Sequence, residues 1–173
     1  MEAFVETERL ILREILPEDE AALFELDSDP EVHRYVGKRP VETLEQIKMV
    51  IAFIRQQYSD YGIGRWAVIE KSSGQFIGWA GLKLFTDEIN GIKDFHELGY
   101  RFMKKHWGKG YATEASVAIV KYGFEELGLN NIYGMTDPEN LASKKVLEKA
   151  GLKYIETFDF SGEATDWFMI TKS

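Results

Sequence analysis

Hydrophobic and polar residues alternate along several short segments of the chain, as they do in half-buried β-strands. The segment "RLILR" (9–13) is the first of these. The segments "RWAVIE" (Arg65–Glu70) and "QFIGWAGLKLF" (Gln75–Phe85) follow each other across the turn "KSSG", so we predict a strand hairpin there. Further strands are predicted at 96–102, 131–136, 152–158 and 165–171.

A helical period of hydrophobic residues marks the segments between these strands. Apolar residues share one helical face at Ile47, Val50, Ile51, Ile54 and Tyr58. Thr43 and Gln46 form a capping-box pattern directly before them, which predicts where this helix begins. Other helices are predicted at 17–26, 28–36, 111–128 and 140–151. The order of these elements predicts an α/β or α+β sheet with helices on both faces, because helices come early, strands follow in the middle and strands then alternate with helices.

Composition narrows the class of protein. The chain has 173 residues, of which 45% are hydrophobic and 29% charged, so one globular domain is the natural expectation. It has no cysteine, and its start carries neither the basic nor the apolar region of a signal peptide, so a cytoplasmic location is favoured. The net charge of −8 argues against a nucleic-acid binder and is compatible with a cationic substrate such as an amine. No apolar run is long enough to span a membrane.

The segment "HWGKGYATEA" (106–115) joins a predicted strand to a predicted helix through two glycines. Gly108 and Gly110 permit unusual backbone angles and allow a ligand to approach the main chain. The first turn of the helix adds unpaired N–H groups and a partial positive charge, which together suit a phosphate or pyrophosphate. The spacing matches neither a P-loop nor a dinucleotide-binding loop. A tight connection with solvated lysines explains the glycines equally well at this point.

Asn140 and Ser143 lie three positions apart at the start of the next predicted helix. They read as an N-cap and a first-turn residue. This helix also follows a short strand, as the glycine-bearing helix does. If the two strands are parallel neighbours, both helix starts lie at one edge of the sheet, where open α/β sheets bind ligands.

Three stretches of the chain, in this order and at this spacing, resemble the GNAT superfamily of acetyl-coenzyme A-dependent N-acetyltransferases. They are "TERLILREILPEDEAALFEL", "ELGYRFMKKHWGKGYATEA" and "NLASKKVLEKAGL". The chain looks most like the branch of ribosomal-protein N-terminal acetyltransferases, the RimJ/RimL type. The resemblance covers nearly the whole chain. It implies one acetyltransferase domain over residues 1–173, with a mixed, mostly antiparallel, twisted sheet of about seven strands and helices on both faces.

The resemblance also implies the residues that hold acetyl-CoA, the co-substrate. The strand end 101–103 is expected to pair with the pantetheine arm through its main chain, and the loop N–H groups are expected to hold the pyrophosphate. The expected binding residues are Arg101, Phe102, Met103, Trp107, Gly108, Lys109, Gly110, Tyr111, Ala112, Thr113, Asn140 and Ser143. Trp107 stands where many members have arginine or glutamine, and Lys104 stands where this branch often has proline. No metal is expected.

Acetyl transfer to an amine requires a neutral amine and a proton for the departing thiolate. Glu97 is the candidate general base, and an ordinary surface carboxylate is the alternative interpretation. His96 is its neighbour and points to the other face of the strand, so we expect a structural role. Ser143 is the candidate proton donor to the thiolate, with Tyr154 as a rival.

The function predicted from these residues is transfer of an acetyl group from acetyl-CoA to a primary amine by direct attack in a ternary complex. The amine would belong to a protein N-terminus or a small molecule. Tyr35, within the helical stretch 27–39, and the loop 86–95 are expected near the acceptor. The alternatives are a non-catalytic CoA-binding sensor or interaction module and a generic anion-binding domain. No nucleic acid or membrane partner is expected, and dimers are frequent in the family.

Overall fold

The computed structural model describes residues 3–36 and 39–173, and within these ranges the chain forms eight strands and four helices. The strands are β1 (Ala3–Glu6), β2 (Leu10–Glu14), β3 (Arg65–Glu70), β4 (Gln75–Phe85), β5 (Phe95–Phe102), β6 (Asn131–Thr136), β7 (Lys153–Phe160) and β8 (Glu163–Thr171). The helices are α1 (Glu20–Asp27), α2 (Leu44–Tyr61), α3 (Tyr111–Glu125) and α4 (Leu141–Lys149). Short 3₁₀ turns at Pro17–Asp19 and Lys104–His106 precede α1 and α3.

One open sheet holds these strands in the order β1-β2-β3-β4-β5-β6-β8-β7. Neighbouring strands in the described ranges are antiparallel, apart from the parallel pair β5 and β6. The predicted mixed, mostly antiparallel sheet is therefore confirmed. The structure has one strand more than predicted, because β1 pairs with β2 at the edge of the sheet through an irregular register. Its four residues are mostly exposed and carry too little hydrophobic alternation to be recognised.

Helices cover both faces of the sheet, as predicted. On one face, Ile119 of α3 packs in a core that includes Leu98 of β5 and Leu147 of α4. On the other face, Ile51 of α2 packs in a second core that includes Trp79 of β4. The central strands are buried on both sides, which explains the nearly continuous apolar runs in β3 and β4.

The long helix α2 begins and ends where the sequence signals place it. The Thr43 hydroxyl accepts a hydrogen bond from the Gln46 backbone N–H at 3.2 Å, and the Gln46 side chain accepts one from the Thr43 N–H at 3.1 Å. The helix ends at Gly62, whose φ of 71° lies in the left-handed region that favours glycine. The capping-box prediction is confirmed.

The helix predicted at 28–36 is wrong. The segment forms successive short turns, such as the bond from the Val32 N–H to the Asp29 carbonyl at 3.2 Å. The Asp29 side chain accepts from the Glu31 N–H at 2.9 Å, and this local turn competes with helix formation. Gly37 and Lys38, which belong to the predicted stretch 27–39, lie outside the described residues.

The sheet divides between β5 and β6. Their ladder consists of one parallel pair, Glu97 opposite Tyr133, within the described part of the chain, whereas β4 and β5 pair along the whole length of β5. Both strands are followed by a helix, α3 after β5 and α4 after β6. The predicted juxtaposition of the two helix starts at one sheet edge is confirmed, and a gap opens between the strands that carry them.

Candidate active site

A cleft of about 870 Å³ opens where β5 and β6 separate. Its walls come from β5, the glycine turn (residues 107–110), the start of α3 and the start of α4. Turns after α1 and the hairpin between β7 and β8 complete the rim. The lining residues belong to both faces of the sheet, because Trp79 packs with the α2 core and Tyr111 packs with the α3 core. The cleft therefore extends through the gap in the sheet and is lined by residues of both faces.

The glycine turn closes one end of this cleft. Gly108 and Gly110 have φ angles of 75° and 81°, which explains the need for glycine at both positions. The Trp107 indole N–H donates to the Phe102 carbonyl at 2.8 Å and ties the turn to the end of β5. The N–H groups in the first turn of α3 have no acceptor within the helix and carry the positive end of its dipole. This end of the cleft is therefore suited to bind a phosphate group.

Arg9 holds the glycine turn from the neighbouring part of the chain. Its Nη1 donates to the Lys109 carbonyl at 2.9 Å, and its Nε donates to Glu114 of α3 at 2.7 Å. Its guanidinium also lies 4.4 Å from the centroid of the Tyr111 ring. Arg9 was not among the predicted site residues, because a contact across a hundred positions leaves no local pattern. The signal available was its place in the "TERLILRE" stretch that carries the family resemblance.

The buried carboxylate of Glu70, at the end of β3, supports the start of α3 from the side of the sheet. The Tyr111 hydroxyl donates to Glu70 at 2.6 Å, and the Ser73 hydroxyl donates to the same carboxylate at 2.7 Å. The hydrogen bond from Tyr111 lowers the pKa of Glu70, which stays ionised. His106 lies beside this pair, with its Nδ1 3.7 Å from Glu70, and burial lowers its pKa. This network fixes the orientation of the first turn of α3.

Asn140 and Ser143 shape the other wall of the cleft. The Asn140 side chain accepts from the Ser143 backbone N–H at 3.1 Å and caps α4, as predicted. The Ser143 hydroxyl lies 2.7 Å from the Tyr100 hydroxyl, which also donates to the Ser143 carbonyl at 3.1 Å. Burial raises the pKa of Tyr100 to about 12, so this phenol keeps its proton at neutral pH. The pair spans the gap between β5 and α4.

Tyr100 was missed from the sequence as a site residue, because an aromatic residue in a central strand is usually part of the core. Its spacing from Glu97 along β5 indicates only that the two point to opposite faces. The contact between Tyr100 and Ser143 depends on the separation of β5 and β6, and no local pattern encodes that separation.

Glu97 lines the cleft on the opposite face of β5 from Tyr100. Its carboxylate lies over Gly99, since a Cβ built on that glycine would be 3.8 Å from Oε1. Burial raises the pKa of Glu97 to about 7, while Lys83 and Arg65 act in the opposite direction. A carboxyl with this pKa exchanges a proton readily at neutral pH, which is what a general base requires.

The floor beside Glu97 is formed by an aromatic ring between two arginines. The guanidinium groups of Arg65 and Arg101 lie 5.3 Å and 5.4 Å from the Trp79 ring centroid. Arg101 donates to buried Asp27 of α1 at 2.8 Å, so this cation is paired. A Cβ on Gly99 would lie 3.4 Å from the Trp79 ring, so glycine at this position lets the indole lie close to the strand beside Glu97. Glu97 lines the cleft, so an amine bound in the cleft can reach its carboxylate.

The structure brings most of the predicted site residues together in this cleft. Those that line it are Glu97, Arg101, Phe102, Trp107, Gly108, Gly110, Tyr111, Ala112, Thr113, Asn140 and Ser143. Met103 lies outside this set, because it is buried and its N–H donates to the Ile77 carbonyl at 3.0 Å, and its expected part in binding stays a prediction. Lys109 does not line the cleft with the others, and its carbonyl accepts from Arg9 at 2.9 Å, so its expected part in binding rests on its backbone N–H and stays a prediction.

Two further expectations about the surroundings differ from the structure. The Tyr154 hydroxyl lies 2.8 Å from the Thr157 hydroxyl on edge strand β7, away from the cleft, so it is no rival to Ser143. The loop 86–95 folds against β7, where the Asn90 amide donates to Glu156 at 2.8 Å, and it does not line the cleft. Tyr35 does line it, as expected, and Phe160 of the β7–β8 hairpin is a rim residue that the sequence did not indicate.

None of the helices in residues 3–36 and 39–173 combines the length and hydropathy that a membrane crossing requires. These ranges also contain no grouping of three or more His, Asp or Glu side chains placed to hold a metal ion.

Comparisons with known proteins agree with this geometry. Residues 9–153 match the family model described as an acetyltransferase (GNAT) domain. An uncharacterized N-acetyltransferase, p20, of Bacillus licheniformis is 37% identical over 141 residues, which span 82% of this chain and 77% of that protein. The FsC-acetyl coenzyme A-N(2)-transacetylase of Aspergillus fumigatus is 35% identical over 156 residues, which span 88% of this chain and 66% of that protein. The crystal structure of a GNAT-family acetyltransferase from Bacillus anthracis superimposes with a TM-score of 0.80 at 27% identity, over 96% of this chain and 97% of that one.

Proposed function

The chain belongs to the acetyltransferase (GNAT) family and is an N-acetyltransferase, and on this premise we propose which residues bind acetyl-CoA and catalyse acetyl transfer to a primary amine. The observation that carries the proposal is the cleft through the sheet. It has a phosphate-binding turn at one end, Glu97 on one face and the Ser143–Tyr100 pair on the other. The reaction then takes place by direct attack within a ternary complex.

The residues that line the cleft fit acetyl-CoA. The N–H groups of residues 108–113 suit its pyrophosphate, because the left-handed glycines and the start of α3 leave them pointing away from the protein core. The edge of β5 at Arg101 and Phe102 faces the gap left by β6, and it supplies backbone partners for the pantetheine amides. Asn140 and Ser143 lie across this gap, where the thioester end would be held.

The chemistry is divided between the two faces of β5. Acetyl-CoA supplies the thioester, and the amine nitrogen bonds to its carbonyl carbon as the carbon–sulfur bond breaks. Glu97 accepts the proton that leaves the nitrogen, directly or through a water molecule. The Ser143 hydroxyl donates a proton to the sulfur as the Tyr100 hydroxyl passes its proton to Ser143 across their 2.7 Å contact. Water in the cleft then returns a proton to Tyr100, and Glu97 releases its proton to water. Positioning of the two substrates supplies much of the remaining rate enhancement.

The finer assignments belong to the same proposal. Residues 1–173 form one acetyltransferase domain of the ribosomal-protein N-terminal acetyltransferase type. The three quoted stretches and the order of the elements support this assignment. The acceptor is a protein N-terminus or a small-molecule amine.

Calorimetry tests the ligand first. We expect saturable binding of acetyl-CoA and desulfo-CoA, and no comparable binding of ATP, which lacks the pantetheine arm. A screen that follows CoA thiol release with a panel of amines then tests turnover. Equal binding of ATP and acetyl-CoA would contradict the assignment of the β5 edge. Binding without transfer to any amine would instead favour a CoA-binding sensor.

A further inference from the structure

Two cations on the acceptor side of the cleft have no ion-pair partner among the residues that the structure describes. Lys83 of β4 is directly opposite Glu97 in the register of β4 and β5, and it lines the cleft. Arg65 of β3 lies on the same face, against Trp79. Among the residues that the structure describes, no carboxylate lies within 4.0 Å of either cation. Arg101, by contrast, is paired with Asp27.

Lys83 and Arg65 are partly buried, so each loses hydration without gaining an ion pair. Burial lowers the pKa of both Lys83 and Arg65, because a cation loses hydration there. The Nε of Arg65 is buried and has no hydrogen-bond partner, and the Nε of Arg101 is in the same situation. Lys83 rests between two aromatic rings, with its ammonium 4.6 Å from the Phe85 centroid and 6.0 Å from the Phe53 centroid. Hydrogen-bonding capacity and positive charge therefore remain for a ligand.

Glu97 lies opposite Lys83 in the part of the cleft around it, here called the chamber, and it does not neutralise the two cations. Glu97 is the base, and its raised pKa leaves it only partly ionised at neutral pH. Glu31 and Glu163 line the outer rim with Arg34, and all three are exposed to solvent. The chamber around Glu97 is thus locally positive, although the chain as a whole carries a net charge of −8.

We propose that the acceptor is an amine that carries a carboxylate a few bonds away, which Lys83 binds while the amine lies at Glu97. The inference rests on the proposed function. Lys83 and Glu97 are cross-strand neighbours, so their side chains can hold two groups of one small molecule. Arg65 adds positive potential from the adjacent strand. A free amino acid and a peptide with an acidic first residue share this chemistry, whereas a polyamine lacks the carboxylate and adds positive charge.

The test compares matched acceptors by CoA release under identical conditions. Free amino acids are paired with their carboxamides, short peptides that begin with Asp or Glu are paired with Asn or Gln peptides, and spermidine is the cationic comparison. We expect kcat/KM for the preferred carboxylate acceptor to exceed that of its amide by about 10- to 100-fold, the range for one charge-assisted hydrogen bond. The free amino acids and the peptides distinguish the two sources of the carboxylate.

Substitution of Lys83 tests whether this residue binds the carboxylate of the acceptor. Lys83→Met should abolish the preference for the carboxylate over the amide, and Lys83→Arg should keep it. Lys83 also lowers the pKa of Glu97, but that effect acts on all acceptors alike and cancels in the ratio. Lys48→Met, on the exposed side of α2, is the matched control. Acetyl-CoA binding to each variant confirms that it is folded.

The outcomes separate the inference from the function on which it rests. Equal turnover of carboxylates and amides, or a preference for spermidine, would overturn the inference and leave the acetyltransferase proposal intact. A preference that survives Lys83→Met would overturn the role of Lys83. No transfer to any amine would overturn the inference and the proposed function together.

Discussion

At the scale of single residues, the environment of Glu97 in the sheet shifts its pKa toward the value that the proposed general base requires. The strand places its carboxyl in a chamber whose charged groups are Lys83, Arg65 and the Arg101–Asp27 pair. Burial raises its pKa to about 7, and the nearby cations keep the pKa from rising further. The carboxyl of Glu97 therefore takes up and releases its proton much closer to neutral pH than an exposed glutamate does.

The pH dependence of activity follows from this value. Glu97 accepts a proton only when it is ionised, so kcat/KM should rise with pH through a group with a pKa of about 7. Glu97→Gln should remove this limb and lower kcat/KM by about 100-fold at high pH, with a smaller loss at low pH, where the wild type is already protonated. The measurement is a pH–rate profile of both proteins with the same amine. Identical profiles would exclude Glu97 as the base.

The same pKa predicts the opposite trend for stability. A carboxyl whose folded-state pKa lies above its ordinary value of 4.5 binds protons more tightly in the folded protein. Its stabilising contribution is therefore present at low pH and is lost as the pH rises to about 7. Thermal unfolding across this window should show Glu97→Gln gaining stability relative to the wild type as the pH rises. A constant difference would show that Glu97 titrates normally.

The Ser143–Tyr100 contact predicts coupled effects of two substitutions. Tyr100→Phe should lower kcat by about 10-fold by removing the donor behind Ser143, and Ser143→Ala should have an effect of at least this size. The double variant should be no worse than Ser143→Ala, because both groups act in one relay. Acetyl-CoA affinity measured by calorimetry should fall less than kcat, because in the proposed complex these hydroxyls contact only the thioester end of the ligand. Tyr154→Phe removes an exposed phenol outside the cleft and should have no effect.

At the scale of elements, the end of β5, the glycine turn and α3 form one rigid unit. Trp107 ties the turn to β5, Arg9 ties it to Glu114, and Glu70 holds Tyr111 from below. The bonds come from strands β3 and β5 and from the residue before β2, so the sheet itself orients the N–H groups at the start of α3. A binding site made of backbone depends on such external support for its shape.

A pair of glycine substitutions tests the turn. Gly110→Val places a side chain in the left-handed region, 3.5 Å from Arg9, and should weaken acetyl-CoA binding by at least about 10-fold. Gly128→Val is the control, because Gly128 has a similar φ of 67° and lies at the far end of α3. Both variants should lose comparable thermal stability, and only the first should lose affinity in calorimetry. Equal affinity in the two would contradict the assignment of the pyrophosphate site.

Most elements were predictable because their signals are local. Thr43 and Gln46 define the start of α2, and β3, β4 and β6 match their predicted bounds. The juxtaposition of the starts of α3 and α4 was also predictable, since two strand–helix units imply parallel neighbours. The contacts of Arg9 and Tyr100 were not predictable, because they join residues brought together only by the sheet order. The raised pKa of Glu97 could not be predicted either, because it depends on burial, which only the folded chain determines.

At the scale of the whole molecule, the sheet consists of two blocks. Strands β1–β5 form one block and β6–β8 the other, and the parallel pair at Glu97 and Tyr133 joins them within the described residues. The helices α3 and α4 pack together over this junction in one core. Acetyl-CoA bound as proposed would contact both blocks and take the place of the hydrogen bonds that β5 and β6 do not make with each other.

Ligand binding should therefore stabilise the whole fold. Acetyl-CoA at about 100 times its Kd should add about 2.7 kcal/mol to the free energy of unfolding and raise Tm by about 5 to 10 °C. ATP at the same concentration should give a much smaller shift, because it cannot reach along β5. Differential scanning fluorimetry measures both, and Gly110→Val should lose most of the shift with acetyl-CoA. Equal shifts with ATP and acetyl-CoA would show that the gap between the blocks is not bridged.

The passage through the sheet has a consequence for inhibition. In the proposed complex, acetyl-CoA occupies the α3 side of the cleft and the amine occupies the α2 side, so neither substrate blocks the other. A single compound that joins a pantetheine thiol to an amine through a short acetyl-like linker would lie along the cleft and occupy the acetyl-CoA site and the amine site together. Its binding free energy would approach the sum of the two halves, without the cost of bringing two molecules together.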